Sequence, residues 1–240
     1  MSMEKLLQRI AMTPSADPSD DLRQLRQAFV RCSGRMGPAE VGCFVEIAGQ
    51  LLPRAPLIQR IAFARPLATS HTAPKPIVSQ LALDNHMVSA AILERSPLIG
   101  EDELVGILKA KGRAVRLAIA KRPGLSVGLT DLVMDAADLP VCRALATNRS
   151  ARVSRKNLAR LVDVARDDDM TRAALGLRRD LPSGLAAQLS RIDAGAADHP
   201  RAATLPHDTG FGLGRAGFVM TRRLVSAQQA RRPPQVLSYS

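Results

Sequence analysis

From Ile92 to Leu129 the chain reads ILERSPLIGEDELVGILKAKGRAVRLAIAKRPGLSVGL, and one phrase occurs in it twice. An apolar helix end meets a basic residue, a proline, a leucine and a polar step, and a new helix begins. The first copy is Arg95-Ser96-Pro97-Leu98 leading to Glu101, Asp102, Glu103 and Leu104; the second is Arg122-Pro123-Gly124-Leu125-Ser126 leading to Leu129 and Leu132. Weaker echoes stand at Arg65-Pro66-Leu67 and Arg178-Arg179-Asp180-Leu181-Pro182. Pro66, Pro97, Pro123 and the equivalent step at Ser150 are 26–31 residues apart. Such a period marks a solenoid, in which each helix pair buries its apolar face only against its neighbours.

Outward from this stretch the same grammar continues. Ser19 with Asp20 and Asp21 has the form of an N-cap and an acidic first turn. The stripe Leu22, Leu25, Phe29 and Cys32 follows, and Gly34 and Gly37 end it. Pro38 suits the opening of a helix bearing Val41, Phe44, Val45, Ala48, Leu51 and Leu52, which Pro53 stops. Leu57, Ile58, Ile61 and Ala62 predict a short partner helix closed at Arg65-Pro66. Ile77, Val78 and Leu81, then Met87, Val88, Ala91 and Ile92, form a pair across Asp84-Asn85-His86, a connector short enough to make them antiparallel. Further helices carry Leu129, Leu132 and Val133; Val141, Ala144 and Leu145 behind Pro140; and Leu158, Leu161, Val162 and Ala165 behind a cap at Ser154. Asp167-Asp168-Asp169 reads as a solvated turn, before Met170, Ala173, Ala174 and Leu175. Leu185, Leu189 and Ile192 make the last helix. Two-residue alternation is nowhere sustained, so essentially no sheet is expected. The expected fold is all-α, a right-handed α-solenoid of roughly five stacked antiparallel helix pairs. Residues 1–36 read as a helical extension, 37–192 as the repeat domain and 193–240 as a basic, mostly disordered tail.

Composition narrows the function. Aromatic residues are 2% of the chain, so Leu, Ala, Val and Ile must build the core, which suits close-packed helices. The longest apolar runs fall short of the roughly 18 residues a membrane span needs, and Gln8 and Arg9 spoil a signal peptide. Cys32, Cys43 and Cys142 lack metal or redox spacing, and a cytoplasmic protein is expected. The net charge of +12 permits attraction to nucleic acid, anionic lipid or an acidic protein and specifies none of them, and twelve Lys and Arg face three acids between Ile107 and Arg160.

Several ordered words are similar to an alphaproteobacterial family of HEAT-like helical repeats known as a domain of unknown function. They are Ala82-Leu83-Asp84, Ser96-Pro97-Leu98, Glu101-Asp102-Glu103-Leu104, Ala118-Ile119-Ala120-Lys121-Arg122-Pro123, Leu125-Ser126, Asn148, Val153-Ser154-Arg155-Lys156-Asn157-Leu158 and Leu181-Pro182-Ser183-Gly184-Leu185. The resemblance spans about Gly37 to Ile192. It implies a HEAT-like fold and carries no catalytic residue across.

The candidate chemistry is thin. Gly124-Leu125-Ser126-Val127-Gly128 has the letters of a nucleophile elbow, but that turn needs a strand before it, and a helix end with Pro123 stands there. Asp131, His199 and His207 could complete a triad in composition only; Ser126 is better read as an N-cap. Gly212-Leu213-Gly214-Arg215-Ala216-Gly217 fits a dinucleotide fingerprint without a surrounding βαβ unit. His71, His86, His199 and His207 show no ligand spacing. No catalytic residue, metal site or cofactor is therefore assigned, and no enzyme activity is expected. The basic residues are the remaining signal. Arg113, Arg116, Lys121 and Arg122 close one repeat, and Arg149, Arg152, Arg155 and Lys156 straddle the next joint. Stacked repeats would align them in a positive ridge. That ridge suits a protein-interaction scaffold with an acidic partner, or alternatively sequence-independent duplex DNA. Five Phe and one Tyr offer few stacking platforms for single strands. Arg95, Arg122 and Arg179 could instead simply close their own helices against the negative dipole end.

Overall fold

The computed structural model describes residues 2–32 and 36–198, and among them are thirteen α-helices and no strand. They are α1 (Met3–Met12), α2 (Pro18–Cys32), α3 (Pro38–Leu51), α4 (Leu57–Ala68), α5 (Lys75–Ala82), α6 (His86–Arg95), α7 (Glu101–Lys111), α8 (Arg113–Ala120), α9 (Val127–Met134), α10 (Leu139–Thr147), α11 (Arg155–Val164), α12 (Asp169–Gly176) and α13 (Ser183–Asp198). Most are two or three turns long, a length that is marginal in isolation, so packing must hold them.

The packing order is regular. Each even-numbered helix from α2 to α10 lies against the next even one, as far as α12. In the other layer α1 packs on α3, α3 on α5, α7 on α9 and α11 on α13. Helices α1 and α2 continue these layers rather than standing apart from them. The even helices supply the centre of the core: Phe63, Ala64 and Leu67 from α4, Val88, Ile92 and Leu93 from α6, Val115 and Ile119 from α8, Val141 and Leu145 from α10. Three of the five phenylalanines gather at one end, Phe29 5.7 Å from Phe44 and Phe44 6.1 Å from Phe63 between ring centroids. Beyond them the core is aliphatic.

Caps and joints follow sequence chemistry. Asn85, Ser126, Asp138, Ser154 and Asp168 each accept a hydrogen bond from a backbone N–H in the first turn of the helix that follows. Gly112, at φ +54°, breaks the run between Glu101 and Lys121 into α7 and α8; a side chain there would be strained.

Four local expectations are corrected. Helix α4 does not close at Pro66 but runs through it to Ala68, because burial of Phe63, Leu67 and Ala68 outweighs one missing N–H in the last turn. Its buried face is Phe63, Ala64, Leu67 and Ala68, and the expected core residue Ile58 is exposed. Ser19 lies inside α2 rather than capping it; its N–H donates to Asp17 Oδ1 at 2.8 Å, and Pro18 takes the first helical position. Helix α13 passes the expected boundary at Ile192 and ends at Asp198. The glycine stop at Gly34 and the fingerprint at Gly212 lie outside the described residues.

Asp21 shows how the first pair is fastened. Its buried carboxylate accepts from the Ser15 N–H at 2.7 Å, Ser15 Oγ at 2.8 Å and Arg9 Nη2 at 2.8 Å. Burial pushes its pKa up, but these donors outweigh it and the carboxyl stands below its usual value.

Candidate functional site

A helix C-terminus leaves carbonyls without partners. Here a residue 23 to 33 positions further along the chain supplies the donors. Arg122 reaches back to the Leu93, Ser96 and Ile99 carbonyls at 3.1, 2.6 and 2.9 Å. Asn148 Nδ2 donates to the Ala120 and Arg122 carbonyls at 2.9 and 2.6 Å. Arg178 donates to Leu145, Asn148 and Ala151 at 3.0, 2.8 and 2.9 Å. Arg122, Asn148 and Arg178 thus form one ladder, each rung closing the joint before it. Arg116 does similar work for α9, donating to the Leu132 and Val133 carbonyls at 2.8 and 2.9 Å. Burial lowers the pKa of Arg122 from its ordinary value. The expected arginine closure is therefore real chemistry at a different helix. Arg122 closes the end of α6, not of α8, and Arg178 rather than Arg179 is the buried closer.

The opposite helix ends carry a second ladder. Arg60 meets Asp84 at 2.5 Å, Arg113 meets Asp138 at 3.0 Å and Arg143 meets Asp168 at 2.5 Å, each pair spanning adjacent even helices. Asp168 is buried and not part of a solvated turn, which corrects the reading of the aspartate triplet. The Arg143 guanidinium, aided by the Thr171 hydroxyl and N–H, holds its carboxyl down to about 2 against the burial that would raise it. A carboxyl lowered from 3.8 stabilises the fold above pH ~4, and that contribution is lost as pH falls towards its folded value. Urea midpoints measured between pH 2.5 and 6 should fall at the acid end, and Arg143→Ala should flatten that decline.

Ser126 sits between two helices. Its hydroxyl accepts from the Leu129 N–H at 3.2 Å and is hydrogen-bonded to Glu101, while Asp131 binds Ser154 Oγ at 2.8 Å and Asn157 Nδ2 at 2.7 Å. Neither residue faces the other, and His199 and His207 lie outside the described residues. Ser126→Ala should therefore cost about 1 kcal/mol as a lost cap and leave p-nitrophenyl acetate hydrolysis at the buffer rate. Hydrolysis by the unmodified protein that this change abolishes, with helicity retained, would restore the elbow. Among the described residues no group of three His, Cys, Asp or Glu is placed to hold a metal ion. Cys142 is buried, and burial raises its thiol pKa. No described helix is long and apolar enough to cross a membrane.

The expected ridge separates into parts. Arg116 and Arg122 are engaged in the joints, and Arg113 is held by Asp138. Arg149 and Arg152 come together with Arg179, Leu177 and Asp180 around a cleft of about 440 Å³. Asp180 is already held by Arg178, at 2.9 and 2.7 Å. Arg149, Arg152 and Arg179 are exposed, and none has a carboxylate partner among the described residues. Leu177 beside them is 67% exposed. Lys121 faces a neighbouring groove with Leu117, Pro140 and Thr147, and Arg155 and Lys156 are exposed in the first turn of α11. Arg179 was not foreseen as a site residue. The only signal for it is the Arg-Arg-Asp order, in which the first arginine pairs with the acid and the second is left free.

Residues 88–202 match the sequence model of a family described as an uncharacterised protein conserved in bacteria (DUF2336). The match begins in α6 and so covers the joints closed by Arg122, Asn148 and Arg178. No curated protein and no solved structure matches the chain.

Proposed function

We propose that the chain is a non-enzymatic scaffold, a HEAT-like solenoid of stacked antiparallel helix pairs, whose joint edge holds an acidic surface of a partner protein. The observation that carries this reading is the cleft at Arg149, Arg152 and Arg179: three exposed guanidiniums without carboxylate partners, beside an exposed leucine and an Asp180 that Arg178 holds. Guanidiniums suit bidentate carboxylate recognition. The leucine supplies apolar contact that a phosphate backbone does not use, which favours protein over duplex DNA. The two-layer packing, the 26-residue steps from Ser96 to Arg122 to Asn148 and the words shared with the alphaproteobacterial repeat family support the solenoid. Free thiols at Cys32, Cys43 and Cys142 suit the cytoplasm.

The test titrates the full chain against labelled polyglutamate and a labelled 20-base-pair duplex at several salt concentrations. Polyglutamate should bind, and the Arg149→Glu/Arg152→Glu/Arg179→Glu variant should lose at least tenfold in affinity. Tighter binding of the duplex, with a steep log–log salt slope abolished in that variant, would replace this reading with the DNA one.

A further inference from the structure

We infer that the exposed face of the even-numbered helices is a docking surface for an acidic amphipathic helix of a partner protein. This rests on the acidic-partner reading and adds the shape and charge pattern of what is bound. Two rows of side chains carry it. At the C-terminal ends of successive even helices stand Arg31, Arg65, Arg95, Lys121, Arg149 and Arg179, one per helix and all exposed. Within the first two positions of α4, α6, α8, α10 and α12 stand Ile58, Met87, Ala114, Leu139 and Met170, also exposed. The four large ones are 67%, 53%, 41% and 66% accessible.

Surface clefts show that two neighbouring pairs of the basic row face common space. Arg31 and Arg65 line one of about 460 Å³ between α2 and α4. Lys121 lines another, of about 540 Å³, with Thr147 and Asn148 at the end of α10, and Arg149 shares the third with Arg179. Arg95 rests against Glu94 at 3.3 Å; Arg65, Lys121, Arg149 and Arg179 have no carboxylate partner among the described residues. Arg143, which lines the α8–α10 groove, is committed to Asp168.

Magnitudes choose the ligand's shape. Ile58 and Arg65 are seven residues apart on α4, as are Ala114 and Lys121 on α8, so each pair shares a helix face and is separated by about 10 Å. At α4 and α8 the apolar and basic rows are therefore about one α-helix diameter apart, and at α6, α10 and α12 the paired residues are 8, 10 and 9 positions apart. Along the rows, packed helices repeat every 8–10 Å or so. Two turns of a bound helix advance about 10.8 Å, so carboxylates at i and i+7 meet successive cations, with apolar residues turned to the other row. In a bound strand, one face recurs every 6.6–6.8 Å or so and falls out of step. Charge complementarity fixes the acidic face, and the apolar row separates this ligand from a merely charged one.

The probe is a fluorescein-labelled 21-residue peptide of three heptads with Glu on one face and Leu on the other. A scrambled peptide of the same composition and a polyglutamate of equal charge accompany it. With the full chain, the heptad peptide should bind at least tenfold tighter than the scramble and gain helical circular dichroism on binding. Arg65→Glu/Lys121→Glu and, separately, Ile58→Ser/Met87→Ser/Met170→Ser should each weaken it at least tenfold with unchanged melting of the protein. Equal binding of heptad and scrambled peptides, or indifference to both variants, overturns the helix-docking inference while polyglutamate binding keeps the acidic-partner reading. Binding of none of the acidic probes overturns both.

Discussion

Arg178→Ala should destabilise the fold by about 3–5 kcal/mol, while Arg179→Ala, one residue on, should stay within about 0.5 kcal/mol of the unmodified protein. The Arg178 side chain is fully buried, and its guanidinium serves three carbonyls from the end of α10 and the joint beyond it. Truncation removes every one of those donors and leaves their buried acceptors unpaired. Each bond from a charged donor is worth about 1.5–3 kcal/mol, and the three are not additive. Arg178→Lys keeps the charge but lacks the planar fork, so it should recover less than half of the loss. Urea unfolding followed by circular dichroism decides the matter; equal midpoints for Arg178→Ala and Arg179→Ala would show that the joint does not hold the stack.

Phe44→Ala is the second large effect, at about 3–5 kcal/mol, against about 1–2 kcal/mol for Phe44→Leu. Phe44 is completely buried and joins Phe29 of α2 to Phe63 of α4, so its removal leaves a cavity touching three helices. The ring cluster lies within α2, α3 and α4, so the damage should remain local. Amide exchange should accelerate in α2, α3 and α4 and hold steady in α10 to α12. Uniform acceleration along the chain would show that the unit unfolds as one cooperative block.

What could be read from the residues was the local punctuation. Ser126 and Ser154 announced helix starts, Pro97 and Pro123 announced joints, and the leucine and isoleucine stripes announced an all-helical fold. The reading failed where a residue's partner lies more than twenty residues away in sequence. Arg122 sits beside the end of α8 in sequence, yet its acceptors are 23 to 29 residues earlier. Arg178 and Arg179 are chemically identical neighbours, and only their direction off the backbone separates a buried closer from a free cation. Ile58 passed for core because it is apolar, while Phe63, on the face that does pack, was passed over. Met3, Leu6, Leu7 and Ile10 form a complete helical stripe, buried in α1, inside the segment that reads as a helical extension without named core residues. In the candidate site, Arg149 and Arg152 were foreseen and Arg179 was not. Arg116 and Arg122 looked like surface charge because burial of a guanidinium by backbone carbonyls leaves no mark in composition.

The ladder from Arg122 through Asn148 to Arg178 has a direction. Each rung closes the joint behind it, so a helix leaving the ribosome carries an open end until some 25 further residues emerge. Synthesis therefore locks the stack in order, the newest joint always the loose one. A nascent chain arrested before Arg178 should be cut by protease beyond α10 while its earlier joints resist, so that maturity is written from the first helix onward.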